Sequence, residues 1–129
     1  MTRIRPARGN SDAHALGRMA EEAACRFLLG HGLTLLERNF RYRQLEIDLI
    51  MQEKTCIVFV EVRCRSSARY GSALESVDRR KQEKLIVAAQ RYLQTRARSA
   101  KHSARFDVIS VTPDAHEAGI EWIRDAFGA

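Results

Sequence analysis

Apolar positions along this 129-residue chain recur with two different periods. Near the start, Leu16, Met19, Ala20, Ala23, Ala24, Phe27 and Leu28 follow i, i+3, i+4 spacing, the face of an amphipathic helix. Ser11 or Asp12 is its expected cap, and Gly30-His31-Gly32 its expected stop. "LTLLERNFRY" (residues 33–42) then predicts a strand. Two more follow, over 46–51 and 56–63, joined by the polar tip "QEKT". "SSARYGSALES" (66–76) predicts an irregular loop. A second helix is expected from Val77 to Thr95, with Leu85, Ala88, Ala89, Tyr92 and Leu93 on its inner face. "RFDVISV" (105–111) predicts another strand, "TPDAHEAG" a turn region, and "IEWIRDAF" a last strand or short tail. A helical crossover this long makes its flanking strands parallel, so the order α-β-β-β-α-β predicts an α/β domain with a mixed central sheet.

The strand pair 46–63 is mostly apolar and yet carries charges. With its turn centred on Glu53-Lys54, Gln52 faces Thr55, Asp48 faces Phe59 and Glu46 faces Glu61. Side chains alternate between faces. One face then holds Ile47, Leu49 and Met51 with Cys56, Val58, Val60 and Val62. The other holds Glu46, Asp48 and Ile50 with Ile57, Phe59, Glu61 and Arg63. Glu46 lies opposite Glu61, and Asp48 is diagonal to it at roughly 7–8 Å. Like charges directly opposite destabilise a sheet. A hard divalent cation, which takes oxygen ligands, offsets that repulsion. Pairing with Arg63 and nearby arginines in a surface salt-bridge cluster offsets it equally well. Spacing alone leaves both open.

Composition narrows the partners. The formal net charge is +6. Between Arg63 and Arg105 there are twelve Lys and Arg residues against only Glu75, Asp78 and Glu83. That balance suits a polyanion, although a solvated basic helix face explains it as well. Cys25, Cys56 and Cys64 form no disulfide framework, so a reducing cytoplasm is expected. No apolar run approaches the roughly 20 residues that cross a bilayer. Residues 1–10 read as a flexible basic arm and 11–129 as a single domain. The four histidines lack metal-ligand spacing. Arg38, Arg41 and Arg43 are expected to pair with Glu37 and Glu46, and Asp107 with Arg105. Asn39 is expected to satisfy local backbone. Tyr92 reads as core; Tyr70 and Trp122 are candidates for stacking on bases.

Several stretches carry a resemblance. Gly17-x-x-x-Glu21, "ERNFR" (37–41), "EIDLI" (46–50), "VFVEVRCR" (58–65), "YG" (70–71), "SVDRRKQEKL" (76–85), "AAQRYL" (88–93) and "RFDVI" (105–109) occur here in an order that resembles the bacterial YraN family. That family in turn resembles the restriction-endonuclease-like superfamily, the PD-(D/E)XK group that includes Holliday-junction resolvases. The resemblance implies a three-layer core, αβββαβ. It also implies a site of one acid on a strand, an acid-x-lysine on the next, and an upstream helical glutamate. Carried over, Asp48 and Glu61 are the acids that hold Mg²⁺ or Mn²⁺, Glu21 is the helical glutamate, and Arg63 stands where the superfamily has lysine. Lys81 matches a position where a related lysine or glutamine can sit. Arg65, Arg79, Arg80 and Lys84 would contact nucleic acid. The implied activity is metal-dependent hydrolysis of DNA phosphodiesters. The alternatives are a non-catalytic nucleic-acid-binding module on the same fold and an interaction scaffold. Junction resolvases act as dimers, which leaves a homodimer open here. Leu45 and Ala20 replace glycines usual in the family. Arg63 is the larger departure, because arginine stays protonated and cannot be a general base.

Overall fold

The computed structural model describes residues 8–65, 77–96, 102–113 and 119–128, with side chains from His14 onward. Two helices, α1 (Arg8–Gly30) and α2 (Arg79–Arg96), flank five strands: β1 (Thr34–Tyr42), β2 (Leu45–Glu53), β3 (Cys56–Cys64), β4 (Ser103–Val111) and β5 (Ile120–Phe127). They form one sheet in the order β1-β2-β3-β4-β5. β3 and β4 run parallel, as the helical crossover requires, and the other neighbours are antiparallel. The final segment is a full strand. The loop expected over 66–76 lies outside the described residues, as does Tyr70.

The sheet separates two apolar layers. Ala20, Ala24, Cys25 and Leu28 of α1 pack on Leu49, Met51, Val58, Val60, Ile109 and Val111. Leu85, Ala88, Ala89 and Tyr92 of α2 pack on Phe40, Ile47, Ile50, Ile57, Phe59 and Phe106. β3 and β4 are buried on both faces, which is why they read as near-continuous apolar runs. Asp107 is the buried acid within β4. It is fully buried and takes hydrogen bonds from Arg105 Nε (2.9 Å), Arg105 Nη2 (3.2 Å), Trp122 Nε1 (2.9 Å) and the Asp125 amide (2.9 Å). Four donors satisfy a buried carboxylate and fasten β5 to β4.

Three expectations need correction. α1 begins at Arg8, so residues 8–10 of the expected arm are helical and Ser11 and Asp12 lie inside the helix; short polar residues cost a helix only tenths of a kcal/mol each. The β2–β3 turn centres on Lys54-Thr55, with Glu53 opposite Cys56 and Ile50 opposite Phe59, two residues away in pairing from the expected register. Lys54 takes φ 55°, the left-handed conformation that a two-residue hairpin demands at its first central position. The shift is even, so the faces survive it, with one exception: Ile47 joins the α2 layer. The phase changes at Asn39 and Asp48. Asn39 has φ 51°, and its neighbours Arg38 and Phe40 turn to opposite layers, as do Leu49 and Ile47 across from them.

Candidate active site

That change of phase places the chemistry. The β2–β3 ladder ends at Leu49↔Val60, one step short of Asp48 and Glu61. At this fork Asp48 Oδ2 accepts a 2.8 Å hydrogen bond from the Val62 amide, so its side chain bridges the opening between the strands. Glu61, next along β3, is 4% exposed. Its Oε2 lies 3.3 Å from Arg63 Nε and 3.6 Å from Lys81 Nζ. Its Oε1 is buried without a hydrogen-bond partner, and Arg63 Nε likewise makes no well-aligned hydrogen bond.

Two carboxyls in one buried corner cannot both ionise cheaply. Burial, then the charge of Glu61, pushes the Asp48 pKa up to about 8; the Val62 amide opposes this, while Glu21 and Glu46 add to it. Burial also raises Glu61, against the pull of Lys81, then Arg63, then a hydrogen bond with Asp48. The two carboxyls therefore hold a proton between them at neutral pH.

Lys81 reaches Glu61 because α2 starts where it does. Asp78 caps the helix: its Oδ1 accepts from the Lys81 amide (2.9 Å), its carbonyl from the Gln82 amide (2.9 Å). The first turn is thereby fixed against the end of β3. Between them opens a cleft of about 480 Å³ lined by Arg63, Asp78, Arg80, Lys81 and Lys84. Arg79, Arg80 and Lys84 are exposed; Arg65 follows β3, with its amide on the Val111 carbonyl.

Glu21 approaches from the α1 side. Its Oε1 accepts from Asn39 Nδ2 (3.2 Å), so Asn39 ties the helical glutamate to the phase change instead of serving only its own backbone. Among the described residues no three His, Cys, Asp or Glu side chains are gathered as a metal-binding group. The corner itself holds the pair Asp48 and Glu61, with Glu21 and Glu46 near enough to be felt electrostatically.

The chain's relatives can now be placed beside this geometry. The sequence model of the uncharacterised protein family UPF0102 matches residues 20–111, which take in the later part of α1, the fork, α2 and the first four strands. The chain belongs to that family. A UPF0102 protein of Stutzerimonas stutzeri (strain A1501) is 50% identical over 91% of this chain and 98% of its own length. Others from Ectopseudomonas mendocina (strain ymp) and Nitrosococcus oceani are 43% and 44% identical, over 92% and 86% of this chain and 99% and 90% of their own.

Of the residues singled out in this UPF0102 chain, Asp48, Glu61, Arg63 and Lys81 come together at the fork, and Arg80 and Lys84 line the adjoining cleft. Glu21 stands at the border and Arg65 beyond the end of β3. Arg41 pairs with Glu46 at 3.2 Å as expected, but Glu37 pairs with Arg96 and Arg38 with Glu22. Arg43 stacks on Tyr42, its guanidinium carbon 5.2 Å from the ring centre. Trp122 is committed to Asp107, Phe27 and His31, so it does not serve as a free stacking surface. Asn39, expected only to satisfy local backbone, also holds Glu21, and Tyr42 carried no expectation of its own. "RNF" preceding an acidic strand was the signal for the first, since asparagine adopts left-handed backbone more readily than most residues.

Proposed function

We propose that this chain is a metal-dependent nuclease of the restriction-endonuclease-like type acting on DNA phosphodiesters. The observation that carries the reading is the unpartnered, buried Oε1 of Glu61 beside a carboxyl, Asp48, that burial and repulsion hold protonated. Both features leave carboxyl oxygens in this corner without a cationic partner of their own. The donor set is two hard oxygens, which fits Mg²⁺ or Mn²⁺, ions that accept one or two carboxylates and complete their shells with water and phosphate. Asp48 and Glu61 would hold the cation, which when bound neutralises phosphate charge and acidifies water.

The chain's own residues account for the rest. Arg63 stays protonated, so its role is to hold a phosphate oxygen and stabilise charge developing there; proton abstraction is closed to it. Lys81 supplies, from α2, the ammonium that the resembled superfamily carries on the strand. Its Nζ already contacts Glu61 and faces the basic cleft. Asn39 holds Glu21 on the opposite side, where it can orient a water.

One observation favours the non-catalytic binding module: Glu61 already has two cations on one oxygen. Incubation of wild type, Asp48→Ala and Lys81→Ala with DNA and Mg²⁺ or Mn²⁺ separates the readings. The nuclease reading expects cleavage by wild type, blocked by EDTA, and a loss of at least 100-fold in each variant, on the scale of a removed charge-stabilising or acid–base group. DNA binding without cleavage across branched, single-stranded and duplex substrates would leave the binding module.

A further inference from the structure

Among the described residues, many arginines have an acidic partner. Arg26 and Arg38 pair with Glu22, Arg41 with Glu46, Arg96 with Glu37, and Arg105 and Arg124 with Glu53. The exceptions gather. Among the described residues, Arg79, Arg80, Lys84 and Arg91 on α2, with Arg43 at the β1–β2 tip, have no carboxylate within ion-pair distance. Arg18 and Lys54 are the scattered remainder. The acids on the same helix are Asp78, occupied as a cap, and the exposed Glu83. Arg80, Lys84 and Arg91 fall at near-helical spacing on the exposed side of α2, so they form a stripe leading away from the cleft beside Glu61.

The stripe ends on an aromatic ring. Arg91 and Arg43 each place a guanidinium carbon over Tyr42, 5.3 and 5.2 Å from its centre. Both arginines are exposed, and Tyr42 is half-buried against the α2 layer. From Lys81 to Arg91 the helix advances about 15 Å. From Leu45, which pairs with Tyr42, to Asp48 the strand advances about 10 Å. Either path corresponds to about three or four stacked nucleotides at 3.4 Å each.

We propose that Tyr42, with the guanidinium groups of Arg43 and Arg91, is a stacking site for an unpaired nucleobase, and that the substrate class is DNA with a single-stranded segment. The inference rests on the DNA reading above, but not on cleavage. Phosphates alone would be served by the basic stripe. A planar ring flanked by planar cations adds affinity for a base face, and a base shows its face only when it is out of the duplex stack.

The test is fluorescence anisotropy in EDTA with three labelled probes: a 12-nucleotide oligo-dT, a 12-nucleotide abasic strand with the same phosphates, and a 12-base-pair duplex. Wild type is expected to bind oligo-dT at least about 5-fold more tightly than the abasic strand, the lower end of what one stacked base contributes. Tyr42→Ala should lose that preference, weakening on oligo-dT by at least about 5-fold and on the abasic strand by less than about 2-fold, while Tyr42→Phe keeps it. Equal wild-type affinity for oligo-dT and the abasic strand overturns the stacking site, and that arm needs no variant. Equal weakening of Tyr42→Ala on all three probes overturns it too. Failure of wild type to bind any probe at low salt overturns the DNA reading itself, a different outcome from binding all three alike.

Discussion

Replacing Asp48 by asparagine should stabilise the metal-free protein while removing its capacity for a cation. Asp48 ordinarily ionises at 3.8, but in the fold at about 8. Between those values the folded chain holds a proton that the unfolded chain has released. Wild-type stability therefore falls as pH rises from about 4 to about 8 and levels off above. At about 1.4 kcal/mol for each pH interval, the span sets a ceiling of about 6 kcal/mol. Water entering the strand fork, and the freedom of Glu61 to lean on Arg63 and Lys81, reduce the expected cost to on the order of 2–3 kcal/mol. Asparagine escapes it. Its carbonyl can keep the Val62 amide, and its NH₂ can donate toward Glu61, whose Oε1 lacks a donor. Urea unfolding in EDTA should show the two proteins alike near pH 4 and Asp48→Asn more stable by on the order of 2–3 kcal/mol at pH 8.5. A variant less stable than wild type at pH 8.5, or a difference that does not change with pH, would refute the shared-proton corner.

Three further outcomes follow from the fold. Asp107→Ala strands Arg105, Trp122 Nε1 and the Asp125 amide, and should cost about 3–5 kcal/mol in urea unfolding, as breaking a buried charge pair does. Hydrogen bonds from Arg105, then Arg124, hold the Glu53 carboxyl below its usual range, so its contribution is present at neutral pH and is lost as pH falls through that lowered value; Glu53→Gln should lower stability at pH 7 and flatten the acid limb of the stability curve. Lys54→Gly, at φ 55°, should raise stability by about 0.5–1 kcal/mol, read as a higher denaturation midpoint at unchanged slope.

The elements and their order were legible because each apolar period belongs to one face of one packed layer. The two helices, the parallel β3–β4 pair and the acids of the second and third strands all followed from that. The register did not, because left-handed backbone at Lys54 leaves no trace in an alternation of apolar and polar residues; the expected turn was off by one residue at its centre. Asn39 was harder still. Its φ of 51° rotates β1 and β2 together, moves Ile47 to the other layer and opens the fork that Asp48 spans. An even shift in register preserved the company of Asp48 and Glu61, so the pair was found for a reason only partly correct. Tyr42 read as an ordinary strand residue; only folding brings Arg91, far along the chain, over its ring.

Titration calorimetry with Mn²⁺ near pH 7, repeated in buffers of different ionisation enthalpy, addresses the Asp48–Glu61 corner most directly. A cation there must displace the shared proton, so binding should release on the order of one proton per ion, and both binding and release should vanish in Asp48→Asn and in Glu61→Gln. Binding that releases no proton, or that persists unchanged in either variant, would contradict a cation site at the fork.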